Sequence, residues 1–189
     1  MNMVFPKAIY IETTNLCNAR CIMCPHKYLK RSQGYMQESI FRRVVNELKD
    51  IGVKGTQIFF HKEGEPLLDK YITPKIAYAK KEIGTGNEYG MNTNAMLLTK
   101  EKAADLIASG LDTIYFSLDG VEKRNYESVR VNLDFDIVVN NIKNFFDVRE
   151  RSNSHIKVIM QMLVRDDDSP EAEVFKKQWS DYPCEFYIK

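Results

Sequence analysis

Three of the chain's four cysteines fall in Cys17-Asn18-Ala19-Arg20-Cys21-Ile22-Met23-Cys24, spaced C-x3-C-x2-C directly after the apolar run Ala8 to Ile11. Thiolates are soft ligands suited to zinc, copper(I) or iron–sulfur clusters, and three clustered thiols without a nearby fourth leave one coordination position for another molecule. An open position points to chemistry rather than scaffolding. The competing reading is a structural zinc completed by His26 or Cys184. Tetrahedral zinc usually draws its ligands from two short pairs, however, and neither pair is evident here.

The elements that must hold these cysteines are visible as alternating periodicities. Ala8-Ile9-Tyr10-Ile11 lacks polar alternation, as a strand covered on both faces of a parallel sheet would. Pro25 restricts Cys24 to extended backbone, and Lys30 to Gly34 is an exposed turn. Ile40, Phe41, Val44, Val45, Leu48 and Ile51 then recur at helical spacing, with Gly52 placed as a C-cap glycine. Further strands are expected at Thr56 to Phe60, Glu88 to Met91, Asp112 to Leu118, Ile156 to Leu163 and Cys184 to Ile188. Helices are expected from Thr73 as N-cap to about Lys81, from Thr99 to Gly110, through Phe135 to Phe146, and from Ser169-Pro170 to Trp179. Arg130 falls in a polar connection.

Six β units alternating with five helices predict a parallel α/β fold with right-handed crossovers. Pattern alone leaves open whether the sheet is doubly wound or a barrel. In either, ligands bind at the carboxyl ends of the strands, where the unusual residues fall: the cysteines after the first, Glu63 to Pro66 after the second, Asn92 and Asn94 after the third, Ser117 and Asp119 after the fourth.

Composition bounds the rest. With 189 residues, 44% hydrophobic and 28% charged, the chain is expected to form a single domain, residues 1–189, with a real core. A net charge of +1 gives no electrostatic case for nucleic acid. No apolar stretch is long enough to span a bilayer and no signal sequence is evident, so a cytoplasmic protein is expected, where clustered cysteines favour a metal over disulfides.

The cysteine spacing resembles the cluster loop of the radical S-adenosylmethionine (SAM) superfamily. That resemblance implies a partial (β/α)6 TIM-type barrel whose Cys17, Cys21 and Cys24 hold three irons of a [4Fe–4S] cluster while SAM chelates the fourth. It implies reductive cleavage of SAM to a 5′-deoxyadenosyl radical that takes hydrogen from a substrate. Gly64-Glu65-Pro66 resembles the family's "GGEP" segment, which binds the SAM methionyl amine, with Glu63 in place of the first glycine. On its own this tripeptide is an ordinary turn. Ser117-Leu118-Asp119-Gly120 and Arg130 resemble the SAM contacts after strand four in the SPASM and twitch subgroup, with Arg130 forking onto the methionine carboxylate. Asn94 aligns with a "TNG"-like exit of strand three in which Ala95 replaces the glycine. Met23 stands where many members place an aromatic residue beside the adenine, and a polarizable thioether can also pack on a ring.

The resemblance covers about Ile9 to Val164. It implies an electron donor such as flavodoxin or ferredoxin and a small-molecule or peptide substrate. The subgroup's C-terminal auxiliary-cluster extension has no counterpart, and ending on Lys189 inside an expected strand the chain is expected to be truncated at its C-terminus. Sugar or aminocyclitol alcohol oxidation is the favoured substrate class. The alternatives are a peptide-modifying maturase and a non-enzymatic zinc-binding module. Gln161 and Met162 are further candidates for the adenine pocket. His26, His61 and His155 are expected to be ordinary hydrogen-bonded or exposed histidines, Cys184 a strand residue, and Asp166 to Asp168 a solvated turn.

Overall fold

Six parallel strands pair side by side in sequence order: β1 (Ala8–Tyr10), β2 (Gln57–Phe59), β3 (Glu88–Thr93), β4 (Thr113–Ser117), β5 (Lys157–Met162) and β6 (Glu185–Ile188). The computed structural model describes residues 4–164 and 170–189, so the expected turn Asp166 to Asp168 and the Ser169 helix start lie outside the described residues. A doubly wound sheet reverses its strand order at a switch point, whereas this order runs in one direction throughout. A cavity of about 370 Å³ touches all six strands, so the sheet curls around it as a barrel's does. Among the described residues β1 and β6 share no ladder, and the barrel is partial.

The helices are α1 (Glu38–Asp50), α2 (Ile72–Ile83), α3 (Lys100–Ala108), α4 (Lys123–Val129), α5 (Phe135–Arg151) and α6 (Pro170–Gln178). Strand alternation separates two environments. Ile58, Tyr89, Met91, Ile114, Phe116, Val158 and Met160 face outward and are buried with Phe41, Val45, Ile76, Leu106, Ile142, Phe145 and Phe175 of the helices. Tyr10, Gln57, Phe59, Tyr115, Ile159, Gln161 and Tyr187 face inward and line the cavity. Gly52 at φ 66° follows α1 where the periodicity placed it, and Gly84 at φ 99° likewise follows α2, both in backbone that side chains rarely adopt.

Three expectations are corrected. β1 is not covered on both faces, because Tyr10 is 49% exposed on the open cavity side of an edge strand. The polar connection before Arg130 contains α4, whose short length and mixed face hid it, with Tyr126 buried as its anchor. Thr73 does not cap α2. The helix begins two residues earlier than that cap implies, at Ile72 after Tyr71, whose amide donates to Asp69 Oδ1 at 2.9 Å. No helix among the described residues is long and apolar enough to cross a membrane.

Asp69 also explains why that helix starts where it does. Its carboxylate pairs with Lys75 at 2.6 Å, with both side chains at most 4% exposed. The Lys75 ammonium also lies 5.6 Å from the centre of the Phe41 ring. Removing one member strands a charge in the core, which costs about 3–5 kcal/mol, whereas replacing both with apolar residues is close to neutral. Asp69→Asn should therefore lower unfolding free energy by about that amount, and Asp69→Leu/Lys75→Met by far less. Denaturant titration of the three proteins measures both values.

Candidate metal centre

The cysteine loop lies at the carboxyl end of β1 and is shaped mostly by residues distant in sequence. Arg20 and Ile22 donate backbone hydrogen bonds to Val131 and Val129 at 2.8 and 3.0 Å, which laces the loop to the segment after α4. From the other side, Glu65 N donates to Leu16 O at 2.8 Å. Gly64 sits so close to this segment that a Cβ there would lie 2.3 Å from Thr14 O and 2.7 Å from Leu16 O. Only glycine fits such a contact. Within the loop, Ala19 N donates to Cys17 Sγ and His26 N to Cys24 Sγ, each at 3.5 Å.

One cavity of about 320 Å³ collects the three cysteines Cys17, Cys21 and Cys24 with Met23, Gly64, Glu65, Asn94, Ser117 and Arg130, while Gln161 and Met162 do not line it. Their strands end side by side, which brings together positions more than 100 residues apart. Burial raises the Cys17 thiol to about 11, with the Glu65 charge adding to the rise, and burial likewise raises Cys21 while Arg130 acts against it. The bare Cys17 and Cys21 thiols hold their protons, and a bound metal must displace them.

Glu65 turns out to be a strut. Its buried carboxylate accepts from Thr93 Oγ1 at 2.6 Å, Asn94 N at 2.8 Å and Leu67 N at 3.1 Å. Burial raises its pKa and these donors oppose the rise. Asn94 continues the brace, donating from Nδ2 to Asn18 Oδ1 at 2.9 Å inside the cysteine loop. Ala95, standing where a glycine is usual, takes φ 58°, the left-handed backbone a glycine would adopt freely.

Asp119, at the exit of β4, is the partner that orients Arg130. Its Oδ2 accepts from Arg130 Nε at 2.7 Å and Nη2 at 2.5 Å, while Oδ1 accepts from Leu163 N at 2.8 Å. This fixes one edge of the guanidinium at the cavity, and Arg130 also interacts with the Cys21 thiol beside it. Ser117 Oγ donates to Asn92 Oδ1 at 2.7 Å, and Asn92 Nδ2 donates to Gln161 Oε1 at 3.1 Å, forming a polar chain across β4, β3 and β5. Met162, by contrast, is buried in the core at 1% exposure and does not reach the site.

The three thiols and their surroundings fit an iron–sulfur cube better than a single ion. A zinc needs its ligands at about 2.0–2.3 Å from one point. Among the described residues no three His, Cys, Asp or Glu side chains make such a group. Neither proposed fourth ligand is placed for zinc. His26 Nε2 is committed to Asn15 O at 2.7 Å, and Cys184, at the amino end of β6, donates to Trp179 O on the opposite rim of the sheet.

His61 stands where this cavity meets the barrel's interior cavity, lining both. Its Nδ1 accepts from Asn92 N at 3.1 Å, so the proton resides on Nε2, and Tyr10 and Phe59 pack edge-on against the ring. Burial lowers its pKa to about 4, reinforced by Lys62. No sequence signal marked it, since its importance comes from strand register. Unfolded histidine titrates near 6.5, so the unfolded chain binds the extra proton first as pH falls. Folding stability should be unaffected by this group above pH 6.5, then fall by up to about 3 kcal/mol as pH drops to 4. His61→Gln should remove that component, measured by denaturant unfolding of the metal-free protein between pH 7 and 4.5.

The sequence matches the radical SAM superfamily over residues 11–172. It is 27% identical over 149 residues, 79% of this chain and 41% of the relative, to the tungsten-containing aldehyde ferredoxin oxidoreductase cofactor-modifying protein of Pyrococcus furiosus. It is 31% identical over 119 residues to the PqqA peptide cyclase of Bradyrhizobium diazoefficiens, covering 62% of this chain and 30% of that one. The fold is similar to that of anSMEcpe with bound AdoMet, with a TM-score of 0.77 at 19% identity over 97% of this chain and 51% of that one. It is similar also to SuiB of Streptococcus suis bound to the precursor peptide SuiA, with a TM-score of 0.74 at 19% identity over 97% of this chain and 39% of that one. The chain spans about half the length, or less, of these relatives. Its cofactors are those of the family, a [4Fe–4S] cluster and SAM. With the matched region running from the cysteine loop past the last cavity residue, this chain belongs to the radical SAM superfamily.

Proposed function

We propose that this chain is the radical-generating core of an enzyme acting on a small polar substrate, and that Cys17, Cys21 and Cys24 hold its cluster. The observation that carries the reading is the convergence of those thiols with Gly64, Asn94, Ser117 and Arg130 on one cavity. When bound, the cluster supplies one electron to SAM, whose reductive cleavage yields methionine and a 5′-deoxyadenosyl radical able to take hydrogen from substrate.

The residues divide the binding work. Arg130, oriented by Asp119 and lining the cavity, would take the methionine carboxylate. The carbonyls of Glu63 and Gly64, which accept no hydrogen bond among the described residues, suit the methionyl ammonium. Glu65 keeps that backbone in place from behind. Met23, 42% exposed, offers its thioether to the adenine, and Ser117 with Asn92 presents polar groups to the ribose. His61 would give substrate an Nε2–H donor at the mouth between the two cavities.

The interior cavity supports a hydroxyl-rich substrate, such as a sugar or aminocyclitol. Tyr10, Tyr115 and Tyr187 provide ring faces and phenols, while Gln57, Gln161 and Glu185 provide amides and a carboxylate. A second reading is peptide modification, favoured by the 31% identity to a peptide cyclase and by the open seam between β1 and β6, through which an extended chain could enter. A zinc module is left without support, given the family and the placement of His26 and Cys184. We infer a cytoplasmic site of action, where a low-potential electron donor is at hand.

Anaerobic reconstitution should give brown protein with iron and sulfide in near-equal amounts, and reduction with SAM present should release 5′-deoxyadenosine. Cys17→Ala, Cys21→Ala and Cys24→Ala should each abolish both, while Cys184→Ala retains both. Colourless protein with one zinc per chain would falsify the assignment. A separate check is Gly64→Ala, whose Cβ must push the cysteine loop aside. SAM affinity, measured by equilibrium dialysis on reconstituted protein, should weaken by about tenfold or more, the equivalent of at least ~1.4 kcal/mol.

A further inference from the structure

Tyr126 anchors α4, and its hydroxyl is in a position that packing alone does not explain. The side chain is fully buried, with its ring centre 5.4 Å from that of Phe135. Its backbone presses so close to the exit of β4 that a Cβ on Gly120 would lie 2.9 Å from Tyr126 N and Cα. The phenol is thus held firmly, yet among the described residues its oxygen has no hydrogen-bond partner. Leaving a buried hydroxyl unpaired is costly, so an orphan this deep points to a partner that arrives after folding.

The surroundings of the hydroxyl narrow the choice of partner. It interacts electrostatically with Arg130, Cys21, Asp119 and Glu65. Arg130 can only donate. Glu65 already accepts on both oxygens from Thr93, Leu67 and Asn94, and Asp119 does so from Arg130 and Leu163. Cys21 is different. Cys17 and Cys24 each accept from a backbone amide, whereas among the described residues no amide donates to Cys21 Sγ. A thiol accepts weakly, but a sulfur ligated to iron is a thiolate and accepts well. The same end of α4 is laced to the cysteine loop, since Ile22 N donates to Val129 O at 3.0 Å and Arg130 N to Tyr126 O at 2.7 Å.

We propose that the Tyr126 hydroxyl donates a hydrogen bond to the Cys21 sulfur in the cluster-loaded protein and thereby sets how readily the cluster is reduced. The proposal rests on the cluster reading above. Tyr126 lines neither cavity, so it is a positioning residue that acts through the ligand. A donor to a ligating sulfur offsets the negative charge that one-electron reduction adds, which raises the reduction potential.

Tyr126→Phe removes the oxygen and keeps the ring. The metal-free variant should unfold at the same or a higher denaturant concentration than wild type, because the substitution deletes an orphan. After anaerobic reconstitution, a redox titration followed by EPR without SAM should place the variant's midpoint below that of wild type. At a fixed potential its reduced-to-oxidised ratio should be about tenfold smaller, equivalent to about 59 mV for one electron. Electron–nuclear double resonance of the reduced wild-type cluster, before and after exchange into heavy water, should show an exchangeable proton that the variant lacks. Equal potentials, no difference in that proton, or a less stable metal-free variant would each overturn the proposal and leave the cluster reading standing. If the wild-type protein takes up no iron and sulfide, the cluster reading falls and this proposal with it.

Discussion

The contact on which the rest depends is the one between the exit of β2 and the exit of β1. Gly64 lies against the Thr14, Asn15 and Leu16 backbone at distances no side chain could share, and Glu65 N anchors to Leu16 O. The Glu65 carboxylate then ties this joint to Thr93 and Asn94 at the end of β3. Asn94 returns to Asn18 in the cysteine loop. The loop has little regular structure of its own, so its shape is borrowed from the ends of neighbouring strands. A buried carboxylate that accepts three hydrogen bonds costs desolvation but fixes geometry, which a site that must hold three thiols apart at set positions requires.

The two faces of the sheet show how that geometry is kept stiff. The outward face is a continuous apolar layer under the helices, close-packed and resistant to shear. The inward face trades packing for function, with the phenols, amides and His61 bordering open space. The site therefore sits at the junction of a rigid layer and a reactive one. His61 and Asn92 mark that junction, since each lines both cavities and they are hydrogen-bonded to each other.

The fold was legible wherever local pattern decided it. Strand and helix positions followed periodicity, and the caps at Gly52 and Gly84 followed from glycine's access to positive φ. The three cysteines, Gly64 and Arg130 were legible because spacing and residue type together restrict their use. What stayed hidden was set by tertiary contact. The pairing of Asp119 with Arg130, 11 residues later, appears only once the chain folds back on itself. His61 has no neighbour in sequence to reveal its tautomer, which a backbone amide on the adjacent strand imposes. Glu65 borders the cavity, but the bonds its carboxylate accepts from Thr93 and Asn94 on another strand leave no trace in local pattern. Tyr10 was expected in a covered strand, and edge position exposed it. The α4 helix escaped because seven residues with one buried tyrosine carry too little periodicity to detect.

The lacing of Arg20 and Ile22 to Val131 and Val129 bears on the order of events during synthesis. The cysteines emerge from the ribosome early, but the backbone that shapes their loop emerges more than 100 residues later. A nascent chain thus carries three loose thiols and no site. The loop therefore gains its final shape only once the fourth strand and the helix beyond it are in place, which makes this early segment of the chain one of the last to be ordered.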